Sequence, residues 1–229
     1  SSSTQPASAI YEDEGILMIR PAATSPDITS RGYQLIFRTI GLDSLQGPTA
    51  GNFIADHVKP KNVAVIHDKQ QYGEGIATAV KQTLEQAGVK VAMFEGINSG
   101  DKVRFMGPEG VGNSEISAIA GPASEGMYVT LPKSFNEDPK NQQLVEAFKA
   151  KKQDPSGPFV FPAYAAVQVI AEGIEKAGTT DTDKVAEALR SNTFDTPTGA
   201  LEFDEKGDLK NFNFVVYEWH QDGTKTEAK

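Results

Sequence analysis

Short apolar runs alternating with stretches of helical periodicity set the framework of this chain. After a short mixed segment that predicts a helix, Gly15 precedes Ile16-Leu17-Met18-Ile19, a run short enough for a buried strand. Residues 20–31 are rich in Pro, Ser and Thr and predict a loop over the sheet edge, and residues 33–39 return to strand composition. Gly47-Pro48 opens a helix over 49–58 that ends before Pro60, and Val63-Ala64-Val65-Ile66 follows as a continuous apolar strand of the parallel-sheet kind. Ile76, Ala79, Val80, Thr83, Leu84 and Ala87 recur at helical spacing, Gly88 stands where a C-cap belongs, and residues 89–94 supply the next strand.

The strand–helix rhythm then breaks. Arg104-Phe105-Met106-Gly107 reads as another strand, yet only residues 96–103 separate it from the last one. A parallel crossover needs about a dozen residues or more, usually a helix, so about one helix and one strand are missing here. The pattern resumes with a helix near 114–120, a strand over 127–131, and helices around 141–151, 160–177 and 183–191. At the end, Phe203, Phe212, Phe214, Val216 and Trp219 are spread around the turn Asp204-Glu205-Lys206-Gly207, as in a hairpin with one buried face. The class is α/β with an antiparallel finish, without internal repeats or low-complexity tracts.

Composition narrows the function more than the fold. A chain of 229 residues with 38% hydrophobic content buries a core without disulfides, as one large domain or two small ones. A net charge of −9, with Lys and Arg scattered singly, excludes a nucleic-acid surface. The most apolar stretch, 158–171, contains Pro162 and Gln168 and falls short of the roughly 18–20 residues of a membrane span. Ser1-Ser2-Ser3-Thr4 has neither the basic start nor the apolar region of a cleavable signal. The absence of cysteine excludes disulfides, thiolate metal sites and thiol nucleophiles, and leaves the compartment open. His57, His67 and His220 are isolated, and no zinc, P-loop or dinucleotide motif is present, so neither a cofactor nor catalysis is expected.

Five places carry candidate binding chemistry, each with an ordinary structural reading beside it. Ser1 to Thr4 precede a helix, where free N–H groups and hydroxyls receive an anion such as a carboxylate, although N-capping is the commoner role. Pro21-Ala22-Ala23-Thr24 follows a buried strand at the end where open α/β sheets bind ligands, or it is a plain tight loop. Tyr72, after another strand, either covers a bound molecule or is a surface aromatic. Glu109, between glycines in Gly107-Pro108-Glu109-Gly110, either pairs with an ammonium or is a solvated turn residue. Phe159 lines an apolar pocket or packs in the core.

Ser1-Ser2-Ser3-Thr4-Gln5-Pro6-Ala7-Ser8, Ile10-Tyr11-Glu12-Asp13-Glu14-Gly15 and His67-Asp68-Lys69-Gln70-Gln71-Tyr72-Gly73-Glu74-Gly75 closely resemble the leucine/isoleucine/valine-binding proteins of Gram-negative bacteria. Met106-Gly107-Pro108-Glu109-Gly110, Gln153-Asp154-Pro155-Ser156-Gly157 and Asp204-Glu205-Lys206-Gly207-Asp208-Leu209-Lys210 continue the resemblance in order, nearest to the Pseudomonas-type branched-chain amino-acid carriers. The resemblance implies a type I periplasmic binding protein: two Rossmann-like α/β lobes with a hinge, crossed three times by the chain. It places residues 1–42 and 132–212 in one lobe and 43–131 and 213–229 in the other. It further implies a monomer in the periplasm that captures Leu, Ile or Val, and by extension Ala or Thr, and delivers it to an inner-membrane ABC permease. A sensory or engineered binding module on the same fold is the alternative. By matching positions, Ser1 and Thr24 hold the ligand carboxylate, Ala22 and Thr24 receive the ammonium, Glu109 neutralises it, and Tyr72 and Phe159 close and line the pocket.

Three departures stand out. The family has a strand–helix–strand section and a cysteine before the serine run. It also has a helix, a strand and an aromatic contact between the positions of Lys102 and Val103. Arg20 replaces a small hydroxyl residue. Both lobes are therefore expected to be incomplete, with apolar faces exposed beside the missing elements.

Overall fold

The structure, a computed structural model, describes residues 3–96, 106–113 and 115–228. The backbone separates into two compact units. Unit 1 comprises Ser1–Gly41 with Ser134–Phe212, and unit 2 comprises Leu42–Lys133 with Asn213–Lys229, so the chain passes between them three times.

In unit 1, helix α1 (Thr4–Asp13) leads into β1 (Met18–Arg20) and, after a 3-10 turn at Pro26–Ile28, into β2 (Ile36–Arg38). β1 and β2 pair in parallel, with Met18 beside Ile36, Ile19 beside Phe37 and Arg20 beside Arg38. Alternation along a strand sends Ile19 and Phe37 to one face. There they join the cluster of Ala165, Val169, Val185, Leu189, Phe194, Leu201 and Phe203. The helices of unit 1 within the second segment, α5 (Gln142–Ala150), α6 (Val160–Ala177) and α7 (Thr182–Ser191), follow from their apolar spacing. α6 stops at Gly178, whose φ of 64° is the left-handed conformation of a helix C-cap. α7 starts where the Asp181 side chain accepts a hydrogen bond from the Lys184 N–H. A short antiparallel pair, β7 (Phe194–Thr196) and β8 (Gly199–Leu201), closes this core.

Unit 2 contains α2 (Asp43–Phe53), β3 (Asn62–His67), α3 (Gln71–Gln86), β4 (Lys90–Gly96), β5 (Met106–Gly107), α4 (Glu115–Ala120), β6 (Tyr128–Pro132), β9 (Phe214–Trp219) and β10 (Lys225–Glu227). β3 and β4 form one parallel pair. A second sheet runs in the order β10-β9-β6-β5, parallel between β5 and β6 and antiparallel elsewhere. Val65, Ala77 and Leu84 form the core under the first pair, and Val129, Leu131, Tyr217 and Trp219 the core beside the second. The opposite face of β3–β4 leaves Ala64, Ile66 and Met93 exposed, the bare apolar surface expected of an incomplete lobe.

Two sequence expectations are corrected. The helix expected from Gly47-Pro48 begins at Asp43, and Pro48 lies inside it. Gly47 is tolerated there because a β-carbon at its position would stand 2.3 Å from Ala79 Cβ, so the glycine permits the close approach of α2 and α3. The expected terminal hairpin is also wrong. Around Asp204–Gly207 only the single bridge of Phe203 with Leu209 forms, while β9 pairs with β6 and β10. The alternating apolar residues serve two units, because the chain changes unit between Phe212 and Asn213. The strand expected at 104–107 is described only at Met106–Gly107, and the expected break between Lys102 and Val103 lies outside the described residues.

Leu189 is fully enclosed in the unit 1 core and touches the space beside Gly173. Leu189→Ala is expected to lower the unfolding free energy by about 2–5 kcal/mol, measured by urea denaturation, because the packed helices collapse only partly into the cavity.

Candidate functional site

In unit 1, Arg20 and Arg38 share the sheet face carrying Met18 and Ile36, opposite the helical core. Arg38 is 0% exposed. Its guanidinium donates from Nη1 to the Ala23 carbonyl at 3.2 Å, and from Nη2 to the Ser25 carbonyl at 3.1 Å and Thr29 Oγ1 at 2.8 Å. Its Nε forms an ion pair with Asp208. The side chain thus grips the two carbonyls that flank Thr24 and fixes the loop at the C-terminal end of β1. Ala22 is exposed on this loop, whereas Thr24 is 0% exposed, and its hydroxyl has no hydrogen-bond partner among the described residues.

Asp208 is itself held by a tight turn. Asp204 Oδ1 accepts from the N–H groups of Lys206 and Asp208 at 2.8 and 2.9 Å, and the Gly207 carbonyl accepts from the Arg38 N–H at 3.0 Å. Gly207 has φ 80°, and a β-carbon there would stand 2.1 Å from the Ile36 carbonyl oxygen. Only glycine allows this approach. Arg20 is also buried, with Nη2 4.0 Å from Asp208 Oδ1. Desolvation and then the Arg38 charge push its pKa down to about 9, which leaves it protonated at neutral pH.

In unit 2, β5 ends at Gly107, and the chain passes through extended Pro108 into the 3-10 turn Glu109–Val111. Glu109 is 3% exposed. Tyr72, from the first turn of α3, is half-buried, and its hydroxyl is enclosed in the field of the Glu109 carboxylate. The buried Asp43, in the first turn of α2, adds a second carboxylate to this group. Burial first, then the charges of Glu109 and Asp43, raise the Tyr72 pKa far above its ordinary value. The cluster is rich in acceptors and poor in cations, which suits an ammonium group.

The other sequence candidates are placed as follows. Ser1 lies outside the described residues, and Ser3, the cap residue of α1, makes no side-chain capping bond. Phe159 is half-buried at the N-cap of α6 in unit 1. His57 stacks on Phe53 at 4.9 Å, His67 tilts against Phe94, and His220 meets Glu125 at 3.4 Å. No group of three or more metal-ligating side chains occurs among the described residues. A shallow depression lined by Gln34, Asp183, Ala186, Glu187, Arg190 and Ser191 contains none of the candidate residues. Sequence reasoning did not single out Arg38, Asp208 or Asp43. The available signal was Arg38 at the end of the apolar run Leu35-Ile36-Phe37, where a charge requires a partner.

The loops after β1 and β5 thus stand at the C-terminal ends of parallel strands, the position at which α/β sheets carry ligands. Comparison with known proteins decides the family, since the periplasmic binding protein family matches residues 1–101 and 95–224. This chain belongs to the periplasmic binding protein family. It is 63% identical, over its whole length and 72% of the other protein, to the leucine-, isoleucine-, valine-, threonine- and alanine-binding protein of Pseudomonas aeruginosa. It is 48% identical, over its whole length and 72% of the other protein, to the Leu/Ile/Val-binding protein of Escherichia coli. The alignment with the Pseudomonas protein runs over 268 residues against 229 here, so within the aligned stretch alone that protein has at least 39 residues without a counterpart. The two family matches meet at 95–101, which overlaps the short connection of residues 96–103. Among solved structures, the fold matches a leucine-binding protein of Thermotoga maritima with a TM-score of 0.87 at 22% identity, covering all of this chain and 77% of that one. It also matches a branched-chain amino-acid transporter substrate-binding protein of Streptococcus pneumoniae, solved with isoleucine, with a TM-score of 0.83 at 19% identity, again over the whole chain and 77% of the other.

Two outcomes test this site's electrostatics. Asp208→Asn leaves Arg38 buried without its counter-charge and is expected to cost about 3–5 kcal/mol of stability in chemical denaturation. Tyr72 keeps its proton in the folded chain while the unfolded chain releases it near pH 10. The native sequence and Tyr72→Phe are therefore expected to show the same absorbance rise at 295 nm up to about pH 11, and Tyr72 contributes a loss of stability as pH rises above about 10.

Proposed function

We propose that this chain is the solute-binding component of an ABC transporter for branched-chain L-amino acids, working in the periplasm as a monomer and handing its ligand to an inner-membrane permease. The observation that carries this reading is the likeness, over the whole chain, to proteins named for binding leucine, isoleucine and valine. No helix among the described residues is long and apolar enough to cross a membrane, in keeping with a component that meets its permease from outside the bilayer. The chain captures and releases its ligand without turning it over.

In this reading the ligand is a zwitterion with an aliphatic side chain. Unit 1 contributes the loop of Ala22 and Thr24, whose backbone and hydroxyl meet the carboxylate and share the ammonium. Ser1 adds to the carboxylate site. Unit 2 contributes Glu109, whose buried carboxylate neutralises the ammonium, and Tyr72, whose neutral hydroxyl lies beside it. Phe159 adds apolar lining. Support comes from the acceptor-rich surroundings of Glu109, with Asp43 and Tyr72, and from the buried, unbonded hydroxyl of Thr24. Affinity among ligands follows the aliphatic chain, since each buried methylene contributes about 0.8 kcal/mol.

Isothermal titration calorimetry is expected to show leucine binding more tightly than alanine. Glu109→Gln is expected to weaken leucine binding by about 30-fold or more, because the ammonium loses its charge partner in a buried site. Equal affinity of the native and Glu109→Gln chains for leucine would remove Glu109 from the site.

A further inference from the structure

Arg20 and Arg38 are register partners of the parallel pair β1–β2 and lie on the same face of it. Like charges placed side by side repel, and both are enclosed in the protein. One carboxylate answers the two guanidinium groups: Asp208 pairs with Arg38 Nε and stands 4.0 Å from Arg20 Nη2. Asp208 is also committed to Thr29, whose hydroxyl donates to Oδ2 at 2.9 Å. The next charge acting on Arg20 is Arg31, another cation.

The donors are satisfied unequally. Arg38 delivers its N–H groups to Ala23, Ser25 and Thr29. Arg20 Nε, Nη1 and Nη2 have no hydrogen-bond partner among the described residues. An arginine carries five N–H donors and retains its charge at neutral pH, and a buried charge without compensation is strongly destabilising. The fork of N–H groups has the shape that accepts an anion.

We propose that Arg20, supported by the charge of Arg38, holds a small monovalent anion of the size of chloride or formate inside unit 1. The anion balances the two-to-one excess of guanidinium over carboxylate and receives the Arg20 donors. Enclosure of Arg20, 3% exposed, restricts the site to an anion of one or a few atoms. The site is structural. It does not rest on the amino-acid-binding reading.

The test is thermal unfolding of the whole chain, without amino acid, in sodium chloride against sodium gluconate at matched ionic strength. Gluconate is too bulky for an enclosed site. Between about 5 and about 200 mM salt, chloride is expected to raise the Tm of the native sequence by about 3–5 °C more than gluconate does. Arg20→Ser, which removes the buried charge, is expected to fold, to unfold at the same temperature in both salts, and to exceed the native Tm in gluconate. Equal Tm of the native sequence in the two salts overturns the proposal, as does an undiminished chloride effect in Arg20→Ser.

Discussion

The ion pair of Arg38 with Asp208 is the constraint on which the loop after β1 in unit 1 depends. Enclosing a guanidinium removes its hydration, and the structure offsets that loss only by presenting acceptors to every side of the group. Two of those acceptors are the carbonyls of Ala23 and Ser25, one is the hydroxyl of Thr29, and the ionic one is Asp208. Strand β2, the loop after β1 and the turn at Asp204–Asp208 are thereby tied at one point. The turn comes from the second segment of unit 1, more than a hundred residues further along the chain. Gly207 completes the junction by letting the turn lie against the β2 backbone. A loop held this way has the carbonyls on both sides of Thr24 fixed, the kind of preorganisation that the proposed ligand contact calls for.

The electrostatics of the two units are opposite in sense. Unit 1 gathers Arg20 and Arg38 around one carboxylate, and unit 2 gathers Glu109 and Asp43 around a phenol that stays neutral. The proposed roles of Thr24 and Glu109 follow this division. Arg20 is the residue that does not fit it simply, because its donors face the protein interior rather than an exposed loop.

Much of the fold was legible because periodicity reports burial. Helix α6 and most of α7 were readable from apolar spacing, and Gly88 and Gly178 mark helix ends with positive φ. The missing helix and strand were readable from the length of a connection, since a parallel crossover has a minimum span. The misreadings have a common cause. Pro48 looked like a helix start because a local rule was applied where the packing of Gly47 on Ala79 decides. The aromatic run from Phe203 to Trp219 looked like one hairpin because periodicity does not say which unit a face is buried against. For the site, glycines around Glu109 and small residues around Thr24 were visible, whereas the Arg38–Asp208 pair was not. A pair separated by 170 positions leaves no local pattern in either residue's neighbourhood.

The measurement that tests the account most directly is a crystal structure of the chain with leucine bound. The account predicts the leucine carboxylate within hydrogen-bond distance of Thr24, the ammonium within hydrogen-bond distance of Glu109, and Arg38 still bonded to Ala23, Ser25 and Asp208. Leucine bound away from Thr24 and Glu109, or a loop released from Arg38 while the ligand is held, would contradict it.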